Sequence, residues 1–131
     1  MSYSQALMTT YSYGHDNDMG NGTAVDWSFK GPTGKQGILI DVGIHVTETF
    51  EDDATEANIS IGTIADPNYY AELNIPDGTA LTNCFNVQDD TNAILIEALP
   101  ADTQIEVTVT EGTDSGTAAG KGYGYVSVLW Y

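Results

Sequence analysis

Basic residues are scarce in this chain. Three lysines and no arginine stand against nineteen acidic residues, which gives a net charge of −16. Proteins bind nucleic-acid backbones by placing lysine and arginine against the phosphates and releasing counterions. An acidic field of this size repels phosphate instead. The sequence therefore excludes a DNA or RNA partner, and it predicts that salt stabilises the protein by screening its self-repulsion.

Cysteine and long apolar runs are also lacking. The single cysteine, Cys84, cannot form an internal disulfide, and the segment TNCFNV around it is typical of a half-buried strand residue rather than a nucleophile. No run of eighteen apolar residues and no leader-like start is present, so we expect neither a membrane span nor a signal peptide.

Catalytic and metal-binding patterns are missing as well. The two histidines, His15 and His45, have no nucleophile and orienting acid at a recognisable spacing, so we predict no catalytic residues, no cofactor and no enzymatic activity. The acidic stretches 15–22 and 48–56 offer oxygen ligands. The first has Asn21 and Trp27 where a calcium loop of the EF-hand type requires glycine and glutamate. We interpret both as solvated loops without a metal.

What the chain does contain is alternation of apolar and polar residues with a period of two. Such segments recur between turn sequences, with no helical period of useful length. They predict an all-β chain of about eight strands, arranged as an antiparallel two-sheet sandwich and most simply as a jelly roll. An immunoglobulin-like sandwich is the alternative, although the Cys…Trp…Cys spacing of that fold is absent. The predicted segments are 25–30, 38–47, 59–61, 69–75, 80–87, 94–98, 105–110 and 122–131.

Two of these segments carry most of the prediction. In 38–47, Ile38, Ile40, Val42, Ile44 and Val46 alternate with Leu39, Asp41, Gly43, His45 and Thr47, so the first set is expected on the core face. Segment 122–131, GYGYVSVLWY, is apolar on both faces, which predicts a central strand. Its last residues are expected to be held by pairing and burial.

Residues 1–22 show no period of either kind. We predict an extended N-terminal arm over 1–22, lying on the surface of its own domain or of a neighbour, and a β-sandwich domain over 23–131. The side chains predicted to bind a partner come from the arm and from the tyrosine-rich face of the last strand. They are Tyr3, Leu7, Met8, Tyr11, Tyr13, Tyr123, Tyr125 and Tyr131.

Two tryptophans and eight tyrosines raise a carbohydrate-binding function, because exposed rings stack on sugar faces. Trp27 and Trp130 both lie on the apolar phase of a predicted strand, which favours positions in the core. A carbohydrate-binding β-sandwich module remains the alternative function.

Two stretches carry a family resemblance. The run ISIGTIADPNYY at 59–70 and the run GTAAGKGYGYV at 116–126 resemble small virion proteins of tailed bacteriophages, namely capsid decoration (cement) and head-fibre proteins. The resemblance spans roughly residues 36–131. It implies a β-sandwich or jelly roll, commonly trimeric, that lies on the outside of the head shell without enzymatic activity. The expected partners are then further copies of the chain and the major capsid protein, with no nucleic acid and no membrane.

Overall fold

The computed structural model describes residues 6–131, and within this range the chain forms ten β-strands and no helix. No helix in this part of the chain is long and apolar enough to cross a membrane. The strands are β1 (Leu7–Ser12), β2 (Asn17–Asp18), β3 (Trp27–Lys30), β4 (Gly37–Glu51), β5 (Ala57–Gly62), β6 (Ala71–Ile75), β7 (Cys84–Asn86), β8 (Ala98–Leu99), β9 (Gln104–Thr110) and β10 (Ala119–Trp130).

The strands form two antiparallel sheets. The large sheet has the order β1-β10-β4-β7, with β2 also paired to β10 and β8 to β4. The small sheet has the order β3-β9-β5-β6. The predicted all-β, two-sheet architecture is therefore confirmed. The described residues form ten strands rather than about eight, because the segment predicted as an arm contributes β1 and β2.

The two sheets enclose one apolar core. Strands of the small sheet alternate regularly, and their inward side chains are almost fully buried. The inward side chains of β4 and β10 in the large sheet pack against the inward side chains of the small sheet. The bulkiest core residues are Trp130, Phe50, Met19, Leu39, Ile44, Ile59, Ile61, Leu73, Ile75, Leu99 and Ile105.

Strand β10 is the central strand that its sequence predicts, because it lies between β1 and β4. Its inward residues include Val126, Val128 and Trp130, all buried. The indole of Trp130 lies directly over Gly31, where an added Cβ would come within 2.5 Å of the ring. A side chain at position 31 would therefore displace the largest residue of the core. Trp130 is in the core as predicted, whereas Trp27 is half-buried against its edge.

The predicted core face of β4 is wrong in its first half. Leu39 and Val42 are both buried, whereas Ile40 between them is 41% exposed. The cause is a β-bulge: Ser127 of β10 pairs with Asp41, and the next residue, Val128, pairs with Leu39. The unpaired Ile40 shifts the alternation by one residue. Sequence alternation continues through this region without a break, so it gives no sign of the bulge.

The prediction that residues 1–22 contain no packed element is also wrong. Strand β1 pairs with β10 over six residues, from Leu7 opposite Trp130 to Ser12 opposite Tyr125. Farther along, the side chain of Asn17 binds the backbone of Val25 through bonds of 2.7 and 3.2 Å. The inward positions of β1 are held by Thr9 and Tyr11, opposite Val128 and Val126, whereas the apolar Met8 faces outward. The segment LMTTYS lacks an apolar period of two for this reason.

Two smaller predictions also differ from the structure. Cys84 is exposed rather than half-buried. The strand predicted over 94–98 is reduced to an isolated bridge between Ile94 and Ala71, followed by β8. Leu95 and Ile96 are exposed in the connection, because the backbone there turns to follow Tyr70 instead of continuing as a strand.

Candidate functional site

The outer face of the large sheet is the first candidate surface. The strand register places outward side chains of β1, β10, β4 and β7 in cross-strand rows. We use the name outer face for these residues: Met8, Thr10, Ser12, Ile38, Asp41, His45, Cys84, Asn86, Tyr123, Tyr125, Ser127 and Leu129. Among them only Asp41 is acidic and only His45 is basic. Beyond Tyr123 the same sheet face continues into Lys121, which pairs with Asp18 and Glu48, so charge is concentrated at that end.

The rows change in character along the strands. One end is apolar, where Met8 pairs with Leu129 and Leu129 pairs with Ile38. In the next row the hydroxyls of Thr10 and Ser127 are hydrogen-bonded at 2.9 Å. The face thus offers an apolar strip beside a strip of neutral hydroxyl groups, a combination suited to a protein surface rather than to an ion.

Tyr125 is fixed in the middle of the outer face. Its hydroxyl donates to Asp41 Oδ2 at 3.1 Å and lies 3.3 Å from Cys84 Sγ. The ring lies against the backbone of Gly43, where an added Cβ would be 2.4 Å from the hydroxyl oxygen. Burial, together with the contact to Cys84, raises the pKa of Tyr125. Tyr125 is therefore neutral and immobilised, and its contacts with Asp41 and Cys84 connect neighbouring strands of the outer face.

The outer face of the small sheet is different. Its outward residues are polar or charged on every strand, the alternation typical of a sheet face in water. They are Ser28, Lys30, Asn58, Ser60, Glu72, Asn74, Gln104, Glu106, Thr108 and Thr110. The small sheet thus differs from the outer face of the large sheet, where the rows from Met8 to Tyr123 contain apolar and neutral side chains and few charges.

The structure brings part of the predicted partner-binding set together, because β1 runs beside β10. Leu7, Met8 and Tyr123 are exposed on the large sheet or its edge. Tyr13 is also exposed and makes an edge contact with His15, with ring centroids 5.5 Å apart. Tyr3 lies outside the described residues.

Tyr11 does not belong to a binding surface. Its ring stacks on Phe29 of the small sheet with centroids 4.5 Å apart, and its hydroxyl accepts a 2.9 Å hydrogen bond from Trp130 Nε1. Tyr11 therefore closes the core at one end.

Tyr131 lies apart from the outer face, in a cleft of about 330 Å³. We call this the tyrosine cleft. It forms where the first residues of β4 and the end of β10 meet the connection that leads into β6. Its principal lining residues are Gln36, Tyr69, Tyr70, Ile96, Pro100 and Tyr131. The sequence places Tyr69 in a predicted strand and does not predict the cleft. The adjacent pair Tyr69-Tyr70 after the turn Asp66-Pro67-Asn68 is nevertheless a signal for an aromatic surface.

The carboxylates of the acidic stretches mainly form ion pairs and hydrogen bonds with other groups of the chain. Asp18 and Glu48 both approach Lys121, at 3.5 and 4.0 Å. Asp53 accepts hydrogen bonds from the backbone and hydroxyl of Ser115, which lower its pKa. No group of three or more potential ligands among residues 6–131 is placed to hold a metal ion. These carboxylates organise turns.

Asp52 is an exception among the acids because it is buried. Its Oδ2 accepts a 2.8 Å hydrogen bond from the Ala57 amide, while Oδ1 has no partner among the described residues. Burial raises the pKa of Asp52, and the negative charges of Asp77, Glu56 and Asp114 add to the effect. The arrangement resists ionisation of this carboxyl.

Comparison with protein-family models, with curated proteins and with solved structures finds no match to this chain. The function must therefore be argued from the surfaces described above. Both histidines are exposed. His45 lies opposite Cys84 on β7 and opposite Tyr123 on β10, but within residues 6–131 no hydrogen bond joins either histidine side chain to a thiol or hydroxyl. The outer face and the tyrosine cleft remain as the candidate sites.

Proposed function

We propose that this protein is a structural virion protein, a decoration or cement protein on the outer surface of a phage head. It would stabilise the shell by associating with further copies of itself and with the major capsid protein, without enzymatic activity. The observation that carries the proposal is the contrast between the two outer faces. One has the composition of a water-facing surface, and the other has that of an interface, where charged side chains are few.

The fold supports the proposal through its topology, which we propose is a jelly roll. If the two-residue strands are set aside, the first principal strand pairs with the last (β1 with β10), the second with the seventh (β3 with β9), the third with the sixth (β4 with β7) and the fourth with the fifth (β5 with β6). That is the pairing of one long hairpin wound into two sheets. Capsid proteins are among the proteins built on this fold, but a fold alone does not assign a function.

Self-association is supported by the edge of the large sheet. Strand β1 pairs with β10 on one side only, and its six residues, LMTTYS, carry neither a charge nor a proline. Soluble proteins usually protect an exposed edge with such residues, because a bare edge offers backbone groups to another chain. A contact between this edge and a different surface of the next copy is heterologous, and it forms a ring when the rotation between copies closes. The ring that we propose is a trimer.

The first experiment asks where the protein is. An antibody raised against it should label the heads of intact phage particles from the virus that encodes it, seen by immunogold electron microscopy. The expected result is label on the outside of unopened heads. Label confined to tails or to opened particles would overturn the assignment to the outer shell.

The second experiment compares one substitution on the edge strands of the two sheets. Met8→Asp places a charge on the outer face at β1, whereas Ser28→Asp places the same charge on the polar face at β3. We expect Met8→Asp to weaken self-association in sedimentation velocity and retention on heads by about tenfold or more, because a buried charge at an interface must be desolvated. Ser28→Asp should match the wild type. Equal behaviour of the two variants would contradict the proposal.

A further inference from the structure

The side chains that line the tyrosine cleft carry no formal charge. None of its nine lining residues is acidic, basic or histidine, although the chain carries nineteen acidic residues and a net charge of −16. An anionic ligand would be repelled by the protein as a whole, and a cation would find no side-chain carboxylate in the cleft. The lining therefore selects for a neutral ligand.

Two aromatic side chains flank the cleft with a large part of their surface open to solvent. Tyr69 is 47% exposed and Tyr131 is 49% exposed, and they reach the cleft from different parts of the chain. Tyr69 is held at a fixed angle by an edge contact with Tyr70, at a centroid distance of 4.9 Å. Exposed tyrosine rings in fixed positions offer flat apolar faces, which match the C–H faces of a pyranose ring.

Polar groups in the cleft are left open. Tyr70 is only 6% exposed, yet its hydroxyl has no hydrogen-bond partner among residues 6–131. Gln36 Oε1 accepts a long hydrogen bond of 3.4 Å from the Tyr131 hydroxyl. The side-chain amide nitrogen of Gln36 has no partner in the same part of the chain. The Tyr70 side chain is buried as a whole, but its hydroxyl oxygen is not among the buried unpartnered atoms and so remains accessible to water or a ligand. These groups would bind the hydroxyls of a ligand.

The backbone holds the cleft in shape. Gln36 and Tyr131 exchange two hydrogen bonds of 2.9 and 3.0 Å, and the Ile96 amide donates to the Tyr70 carbonyl at 3.1 Å. Main-chain hydrogen bonds thus hold Gln36 to Tyr131 and Ile96 to Tyr70, the latter pair within connections between strands. A preformed site of about 330 Å³ is at the small end of the range of ligand pockets.

From these features we infer that the tyrosine cleft binds a neutral saccharide of one or two rings. Aromatic faces, unpaired neutral hydrogen-bonding groups and the absence of charge together describe this ligand class. The tryptophans do not contribute, because Trp130 is buried and Trp27 packs against the core. The site is separate from the outer face and does not depend on the proposed role in a phage head.

The test is a titration of the full-length protein followed by NMR. The neutral probes are glucose, galactose, mannose, N-acetylglucosamine and their β-linked disaccharides, and the anionic probes are glucuronic acid and N-acetylneuraminic acid. We expect at least one neutral probe to shift amide signals around Gln36, Tyr69 and Tyr131, with the anionic probes much weaker. Shifts elsewhere, equal binding of anionic sugars, or no shift with any neutral probe would overturn the inference.

Variants separate ring stacking from hydrogen bonding. Tyr69→Ala should weaken binding by about tenfold and Tyr69→Phe should largely restore it, because the phenyl ring keeps the face. Tyr70→Phe should weaken binding through loss of the hydroxyl alone. Leu81→Ala is the control, because Leu81 is 53% exposed and does not line the cleft. Unchanged affinity in Tyr69→Ala and Tyr70→Phe, with folding verified by their amide spectra, would also overturn the inference.

Discussion

The two sheets of this domain bury the same kind of core but face outward with different chemistry. On the small sheet most outward positions of the four strands are polar or charged, as at Lys30, Glu72 and Glu106, and the exception is Gly62, which the turn at Asp66 and Pro67 covers. On the large sheet the corresponding positions include Met8 and Leu129, and charge is confined to a few sites. Folding requires only that the inward faces be apolar, so the outward difference must be explained by something other than folding.

The largest effect is expected from removal of β1, the edge strand of the large sheet. We expect deletion of residues 2–12 to destabilise the domain by about 5 kcal/mol or more, against a total stability of about 5–15 kcal/mol. The loss includes the pairing of β1 with β10 and the packing of Tyr11 on Phe29. Urea denaturation measures it.

This expectation replaces the one that the sequence suggests, in which an N-terminal arm is dispensable for folding. A deletion variant that unfolds at the wild-type midpoint, with the same cooperativity, would show that β1 contributes little to the fold. The effect on self-association can be interpreted only for variants that remain folded, so Met8→Asp is the better probe of the interface.

The second prediction compares the two faces of one strand. Trp130→Ala should cost about 3–5 kcal/mol, because it empties the largest core position and removes the hydrogen bond to Tyr11. Leu129→Ala, one residue earlier on the outer face, should cost less than about 1 kcal/mol in the isolated chain. Thermal and urea unfolding of both variants checks the difference. Similar losses would mean that Leu129 is part of the core.

Whether a feature of the fold can be predicted from the sequence depends on which residues determine that feature. The central position of β10 follows from residues of β10 alone, because a strand apolar on both faces must be covered on both. The bulge at Ile40 depends on the register with β10, which no property of segment 38–47 records. Strand β1 was missed for the same kind of reason, since it is specified by its partner and by the contacts of Tyr11.

The candidate sites were predicted less well than the fold. Met8 in the arm and Tyr123 on the last strand are predicted from the sequence to bind a partner, and both side chains are exposed. The tyrosine cleft joins Gln36, Tyr69 and Tyr131, which are distant along the chain and meet only when the sheets are assembled. Alternation can assign a residue to a face, but it carries no information about which ends of different strands come together.

The last prediction concerns Asp52, a buried acidic residue in the connection from β4 to β5. Asp52 has a raised pKa in the folded protein, chiefly from burial, so protonation favours folding. Its contribution to stability is greatest below the ordinary aspartate pKa of about 3.9 and is lost as pH rises through the raised value. Asp52→Asn should therefore stabilise the protein at pH 7, by on the order of 1 kcal/mol, because the amide oxygen still accepts from Ala57 and no buried charge remains.

The neighbouring residue provides a control of opposite sign. Asp53 has a lowered pKa because Ser115 donates two hydrogen bonds to it, so its contribution is present above the ordinary pKa and is lost as pH falls. Asp53→Asn makes the same change in net charge but should destabilise the protein at pH 7. Urea unfolding of both variants between pH 4 and pH 8 separates the two effects. If both substitutions stabilised equally, relief of general repulsion in a chain of charge −16 would account for them, and the buried environment of Asp52 would not.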